Sequence, residues 1–428
     1  MIVALFEDET YVNFLPLAYT RPVFDLRSGM FSFSERVQKG FPDSSLILFA
    51  RDYLVPTLKQ RTSCPMNQPA AIDDDILLIN ATLIVDEKVK KLAERKLSIN
   101  SMIKQQGRIA LARLSQNLAK KYAEEICKPV SRLLVEKLTR KCKILDSTEL
   151  RLFNYPWDLV NNCGELIKED YAGLGKLESK GSVDDKVAVY GDKGRVFVDE
   201  GSSIEAFVML DARDGPIYIG KGTNVHSGSR ITGPTYIGDK VIIPTGLIRE
   251  GCSIGPVCRV GGELEETIVQ GYTNKYHTGF IGHAYIGEWV NLGAGTTNSD
   301  LKNTYGTVQV VAGGRKVDTA HPKVGCFIGD HVKASIGTQI YTGKTLGLAS
   351  HVHGFVTDDV PSFTIWAKSL HAKPAELKLE SAIKTQERAF SRRGVKQSRE
   401  DVALLRRLFE ITAPERRKAA VIKGKFTF

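Results

Sequence analysis

Residues 280–300 read FIGHAYIGEWVNLGAGTTNSD and set a histidine among small and aliphatic side chains. His283 stands three residues before Ile286, at a corner of a repeat and not at an inward-facing position. An imidazole titrates near neutral pH, so it can take a proton from an amine as that amine attacks a thioester. Tyr285 follows two residues on, and Asn298 takes a slot where the repeat calls for an inward aliphatic. A polar side chain at a core position needs hydrogen-bond partners or a task. Lys275, His277, Lys302 and Asn303 lie in the two flanking segments, 262–280 and 299–327. Together these groups could bind a phosphorylated amino sugar and deprotonate its amine.

The element that must hold them is a repeat of six. From about residue 196 an aliphatic recurs as Val198, Ile204, Leu210; then Ile219, Val225, Ile231, Ile237, Ile243; then Ile254 and Val260; Ile286 and Leu292; and Ile328, Ala334, Ile340, Leu346, Val352. Neither a helix nor a simple strand has that period. A coil of three short strands does, with one inward aliphatic per strand and glycine where the chain turns tightly. The spacing predicts a parallel β-helix over 181–366, interrupted by the two segments 262–280 and 299–327. Cys252 and Cys258, six apart in the small slot before the aliphatic, read as packing residues.

The first 180 residues differ. IVALF, SLILF and ILLIN read as buried strands between helical stretches, which predicts an α/β domain over 1–180. Residues 367–428 form a basic tail, helical over 374–410, whose plain reading is a solvated surface. The net charge of +10 suits anionic ligands, and no nucleic-acid motif accompanies it. The opening MIVALFEDET does not resemble a secretory signal, no stretch is apolar enough to span a membrane, and the seven cysteines form no C-x-x-C pair. A reduced, cytoplasmic setting is the expectation.

GHAYIGEWVNLGAGTTNSD resembles the acetyltransferase half of the bifunctional N-acetylglucosamine-1-phosphate uridyltransferase / glucosamine-1-phosphate acetyltransferase family. The resemblance implies a left-handed β-helix, a homotrimer, and acetyl-CoA as co-substrate. It implies His283 as base with Tyr285 beside it, Asn298, Lys302 and Asn303 serving the sugar phosphate with Lys275, and Gly293, Ala294, Gly295 and Ser335 bordering acetyl-CoA. The spacing departs slightly, since one residue separates His283 from Tyr285 where family members have two. In the first domain PLAYTRP resembles the end of the nucleotidyltransferase signature, with Arg21 in place and Arg27 as the nearest further cation. The glycine loop is replaced by Glu7, Asp8 and Glu9, which read as a solvated loop. LLINATLIV and YPWDLV resemble the magnesium-binding segments and offer Asn80 and Asp158. The whole resembles a divergent branch of that family: an α/β nucleotidyltransferase-like domain using UTP, a sugar 1-phosphate and Mg2+, followed by a β-helix acetyltransferase. Two alternatives stand beside it. A zinc lyase on the same helix would need three converging histidines among His226, His277, His283, His321, His331, His351 and His353. A non-catalytic scaffold would explain the acidic loop of the first domain.

Overall fold

The computed structural model describes residues 2–145, 150–424 and 426. The chain divides into two compact units. Unit 1 comprises residues 1–26 and 31–155, and unit 2 comprises 27–30 and 156–428.

Unit 1 is built on a six-stranded sheet in the order Ser45–Phe49, Ile2–Phe6, Ile76–Asn80, Arg108–Leu114, Ser101–Gln105, Lys143–Ile144. The first three strands run parallel, and Arg108–Leu114 lies antiparallel to both its neighbours. IVALF, SLILF and ILLIN are these strands, and their aliphatics share one core with the helix Arg132–Thr139. A run that is apolar throughout suits a strand covered on both faces.

Unit 2 is a parallel β-solenoid. Ile219 pairs with Ile237, eighteen residues on, so one coil is three hexads. Every hexad aliphatic named above lies in a single core cluster running along the solenoid axis. Cys252 and Cys258 belong to that cluster, and burial pushes the Cys258 thiol up to about 12, so both act as small packing groups.

The first expected interruption is not one. Residues 262–280 continue the ladder through Gly262–Glu265, Ile268–Gly271 and Asn274–Lys275. Their inward slots hold Leu264, Val269, Lys275 and Ile281, so the step from Val260 falls to four and the next to five, and a lysine takes one slot. The second interruption is real: 299–327 leaves the coil and forms the hairpin Gln309–Ala312 with Arg315–Asp318.

The helices Pro156–Asn161 and Cys163–Gly173 pack on one flank of the solenoid. The basic tail is docked through its apolar side, while most of its Lys and Arg side chains stay exposed. Its helices Leu379–Ser391 and Arg399–Ile411 pack on each other, and Phe390 meets Trp289 at 4.3 Å between ring centroids. Arg393 donates to Asn274 Oδ1 at 2.6 Å, and the buried Arg416 pairs with Glu376 at 2.8 Å. The positive charge of the tail is therefore partly spent in docking it.

Candidate active site

A cavity of about 760 Å³ opens along one face of the solenoid. Its wall is the outward row Arg230, Leu247, Glu263 and Phe280, carried at matching positions on successive rungs. Residues 276–279 form the rim and bring the exposed side chains of Tyr276 and His277 to it. The T-shaped contact of the Tyr276 and His277 rings, 5.2 Å between centroids, steadies the imidazole. Arg230 and Arg213 share one carboxylate, Asp211, at 3.1 and 2.6 Å. Of the two guanidiniums on that carboxylate, Arg230 lines the cavity.

The coil beneath supports this rim. Gly295 N donates to Thr278 O at 3.0 Å, one residue from His277. Gly293 sits against the backbone of the next coil, where a Cβ would lie 2.6 Å from Ile336 N and 2.7 Å from the Ser335 carbonyl carbon. Gly293, Ala294, Gly295 and Ser335 thus form stacked turns beside the cavity wall.

His283 is elsewhere. It occupies a corner, as its spacing predicts, in the left-handed region at φ 49°. Its ring is enclosed: Nδ1 lies 2.8 Å from Asp300 Oδ2 and Nε2 lies 3.4 Å from Glu266 Oε2, with the residue 5% exposed. Burial pushes the Asp300 carboxyl up, but the hydrogen bond and charge of His283, with Lys323, outweigh it and hold the carboxyl below the usual range. An imidazole with both nitrogens turned to carboxylates in a closed corner is a lock between two coils and does not face a substrate.

Tyr285 does not face one either. It is fully buried, its hydroxyl donates to Gln270 Oε1 at 2.5 Å, and it accepts from Arg27 N at 2.9 Å. Asn298 is spoken for by the fold. Its Oδ1 accepts from Gly282 N at 2.9 Å, and its Nδ2 donates to Gly282 O at 3.0 Å. The carboxamide does the work of a backbone rung between Phe280–Gly282 and Thr297–Asn298, where one sheet ends and the next begins.

Lys275 fills the inward slot between Val260 and Leu292 and is 1% exposed. Its Nζ donates to Gly261 O at 3.0 Å and to His277 O at 2.6 Å, so it cannot reach a ligand. Burial lowers its pKa to about 8. Lys302 bonds within its own loop to Thr307 O, and Asn303 is exposed beside it; neither lines the cavity.

In unit 1 the acidic loop is the opposite of solvated. Glu7 is 1% exposed and grips Arg51, Oε2 to Nε at 3.0 Å and Oε1 to Nη2 at 3.1 Å, while accepting from Val23 N at 2.8 Å. Asp8 Oδ2 pairs with Arg108 Nε at 2.7 Å and accepts from Asn80 Nδ2 at 2.8 Å. Only Glu9 is exposed. Asn80 Oδ1 accepts from Thr82 N, Thr82 Oγ1 and Arg108 Nη2. The Arg108 guanidinium is the resident cation at that point, so Asn80 does not fit a magnesium ion. Arg21 is buried, and its carbonyl accepts from Arg51 Nη2 at 2.7 Å.

Arg27 and Asp158 belong to unit 2. The Arg27 guanidinium is buried 5.3 Å over the Tyr236 ring and bonds to Met30 O, which turns it away from any phosphate. Asp158 lies in the first turn of Pro156–Asn161, where a carboxylate complements the helix N-terminus. Among the described residues no group of three His, Cys, Asp or Glu could hold a metal ion. Nor, among them, is any helix long and apolar enough to cross a membrane.

Residues 3–178 match the family model described as sugar nucleotidyl transferase, and the β-solenoid follows them in the chain. The bifunctional sugar-1-phosphate nucleotidylyltransferase/acetyltransferase of Sulfurisphaera tokodaii is 27% identical over 199 residues, 46% of this chain and 43% of that protein. The bifunctional protein GlmU of Bordetella parapertussis is 29% identical over 179 residues, 39% of this chain and 35% of its own. The matched spans are less than half the length of these relatives. Among solved structures, the UDP-N-acetylglucosamine acyltransferase of Francisella novicida covers 56% of this chain and 78% of its own at 14% identity, with a TM-score of 0.28.

Proposed function

We propose that the solenoid transfers an acetyl group from acetyl-CoA to the amine of an amino-sugar 1-phosphate, with His277 as the base. The observation that carries this is the cavity: it sets an exposed imidazole, a carboxylate and a guanidinium along one wall beside glycine-rich turns. His277 takes the amine proton as the nitrogen attacks the thioester carbonyl; the C–N bond forms, the C–S bond breaks, and the thiolate leaves with a proton. Arg230, on the cavity wall, meets the sugar phosphate. The turns Gly293–Gly295 and Ser335 are the proposed edge for the acetyl-CoA chain, since they are small and stacked against the rim. The Sulfurisphaera tokodaii relative, a bifunctional sugar-1-phosphate nucleotidylyltransferase/acetyltransferase, joins the two activities in one chain, and in our reading UTP is the nucleotide donor here.

Release of thiol from acetyl-CoA across several amino-sugar 1-phosphates tests the proposal, and no release with any of them would end it. A homotrimer is the proposed assembly, supported by exposed Phe207, Ile336 and Tyr341 on the solenoid; a light-scattering mass of one 47.3 kDa chain would contradict it.

One observation favours a second reading for unit 1. Glu7 neutralises Arg51, and Asp8 neutralises Arg108, so the arginines that could meet a triphosphate are already paired. In that reading unit 1 is a scaffold. Pyrophosphate release from UTP and sugar 1-phosphates by the wild-type protein separates the two.

A further inference from the structure

A lysine in the aliphatic column of a solenoid is the least expected side chain in unit 2. The slot is bounded by Val260 and Leu292, and among the described residues no carboxylate pairs with Lys275. Its two acceptors are main-chain carbonyls on opposite sides of a single corner, Gly261 O and His277 O. Between them lies Gly262, at φ 73°, where a Cβ would meet the Lys275 nitrogen at 2.7 Å. Gly262 and His277 both line the cavity. The ammonium thus lies directly behind the cavity wall and holds the residue that carries the imidazole.

A methionine or leucine would fill the slot and leave both carbonyls unpaired. Burying the charge instead is costly, so a lysine here needs a reason other than stability. We propose that Lys275 is a positioning residue for the cavity: its ammonium, bridging the Gly261 and His277 carbonyls from inside the coil, fixes the His277 main chain and so the direction of its ring. This rests on the reading of His277 as the base.

The chargeable groups on the elements packed against Lys275 are Cys258, Arg259, Glu263 and His277. Cys258 is a buried, neutral thiol whose pKa is pushed up to about 12. Arg259 belongs to the outward row of its strand, and Glu263 is held 3.6 Å from Arg249. The other facing group is His277, whose response is the thing to be measured.

The test is Lys275→Met with 13Cε1-labelled histidine. The His277 ring resonance, one of eight, is assigned by its loss in His277→Gln. The expected result is a displaced His277 resonance in the folded Lys275→Met protein and a kcat for acetyl transfer reduced at least ~10-fold, with KM for the amine changed far less. A His277 resonance that superimposes on wild type overturns the proposal. If the resonance moves but wild type transfers no acetyl group, the positioning role stands and the assigned activity falls. Should Lys275→Met not fold, wild-type protein decides: the His277 resonance should show an inflection with the midpoint of the Lys275 ε-methylene, and its absence overturns the proposal.

Discussion

Replacing Glu7 by glutamine keeps the shape of the side chain and removes one charge. In wild type that charge faces Arg51, with both residues enclosed and two oxygen–nitrogen contacts of 3.0 and 3.1 Å. Glutamine turns an NH2 group toward a guanidinium that has only donors, and leaves a buried cation without its partner. Breaking a buried pair from one side costs about 3–5 kcal/mol. For a unit of roughly 150 residues that is a fall in Tm on the order of 10 °C. Glu9→Gln, at the exposed neighbour, should change stability by less than ~0.5 kcal/mol. The chain has two units, so one unfolding curve will not serve. All three tryptophans, Trp157, Trp289 and Trp366, lie in unit 2. Urea unfolding of Glu7→Gln should show an early transition in far-UV circular dichroism to which tryptophan fluorescence is blind. A variant whose transitions coincide with those of wild type would refute the paired-carboxylate account and restore a solvated loop.

Three further outcomes follow from the geometry. His277→Gln should lower thiol release at least ~100-fold with Tm unchanged, whereas His283→Asn should lower Tm by breaking the pair with Asp300, and keep substantial turnover below that Tm; the reverse pattern would return the base to His283. Asn298→Ala should destabilise unit 2 by about 2–4 kcal/mol, because the N–H and C=O of Gly282 both lose their partner in a buried place, read as the urea midpoint of tryptophan fluorescence; no change would mean water replaces the amide. The Lys275 pKa of about 8, against about 10.4 unfolded, means the unfolded state binds more protons between those values, so wild-type stability rises with pH there relative to Lys275→Met. The relative gain from pH 7 to above 10.5 should be about 3 kcal/mol, and a flat difference would show that Lys275 is not buried as a cation.

What could be read from spacing was the scaffold. Each hexad aliphatic reached the core because a period of six admits few folds, and Cys252 and Cys258 fell into the small slots that period leaves. The coil at 262–281 was hidden because two successive corners are shorter than a hexad and Lys275 breaks the hydrophobic signature. His283 was legible as a corner and misleading as chemistry: spacing tells where a residue stands on the coil, and the carboxylates that enclose it come from Glu266 and Asp300. His277 gave no signal beyond its neighbourhood, since its value lies in exposure to a cavity made by four successive rungs. Glu7 and Asp8 were misjudged for a related reason. Their partners lie 44 and 100 residues away, and no local pattern joins them.

Residues 27–30 hold a place in unit 2 although the chain on both sides of them belongs to unit 1. Ser253 donates to Gly29 O at 2.7 Å, and Tyr285 receives Arg27 N from 258 residues downstream. At about 5–20 residues per second, a ribosome delivers Tyr285 some ~10–50 s after Arg27. For the later half of that interval all of unit 1 has been synthesised while the four-residue segment still waits for its partners in unit 2. Any fragment begun at residue 156 or 181 lacks that segment altogether and exposes the Tyr285 hydroxyl and Gln270 amide it should cover. Such fragments are poor stand-ins for unit 2, and a faithful one carries residues 27–30 with it.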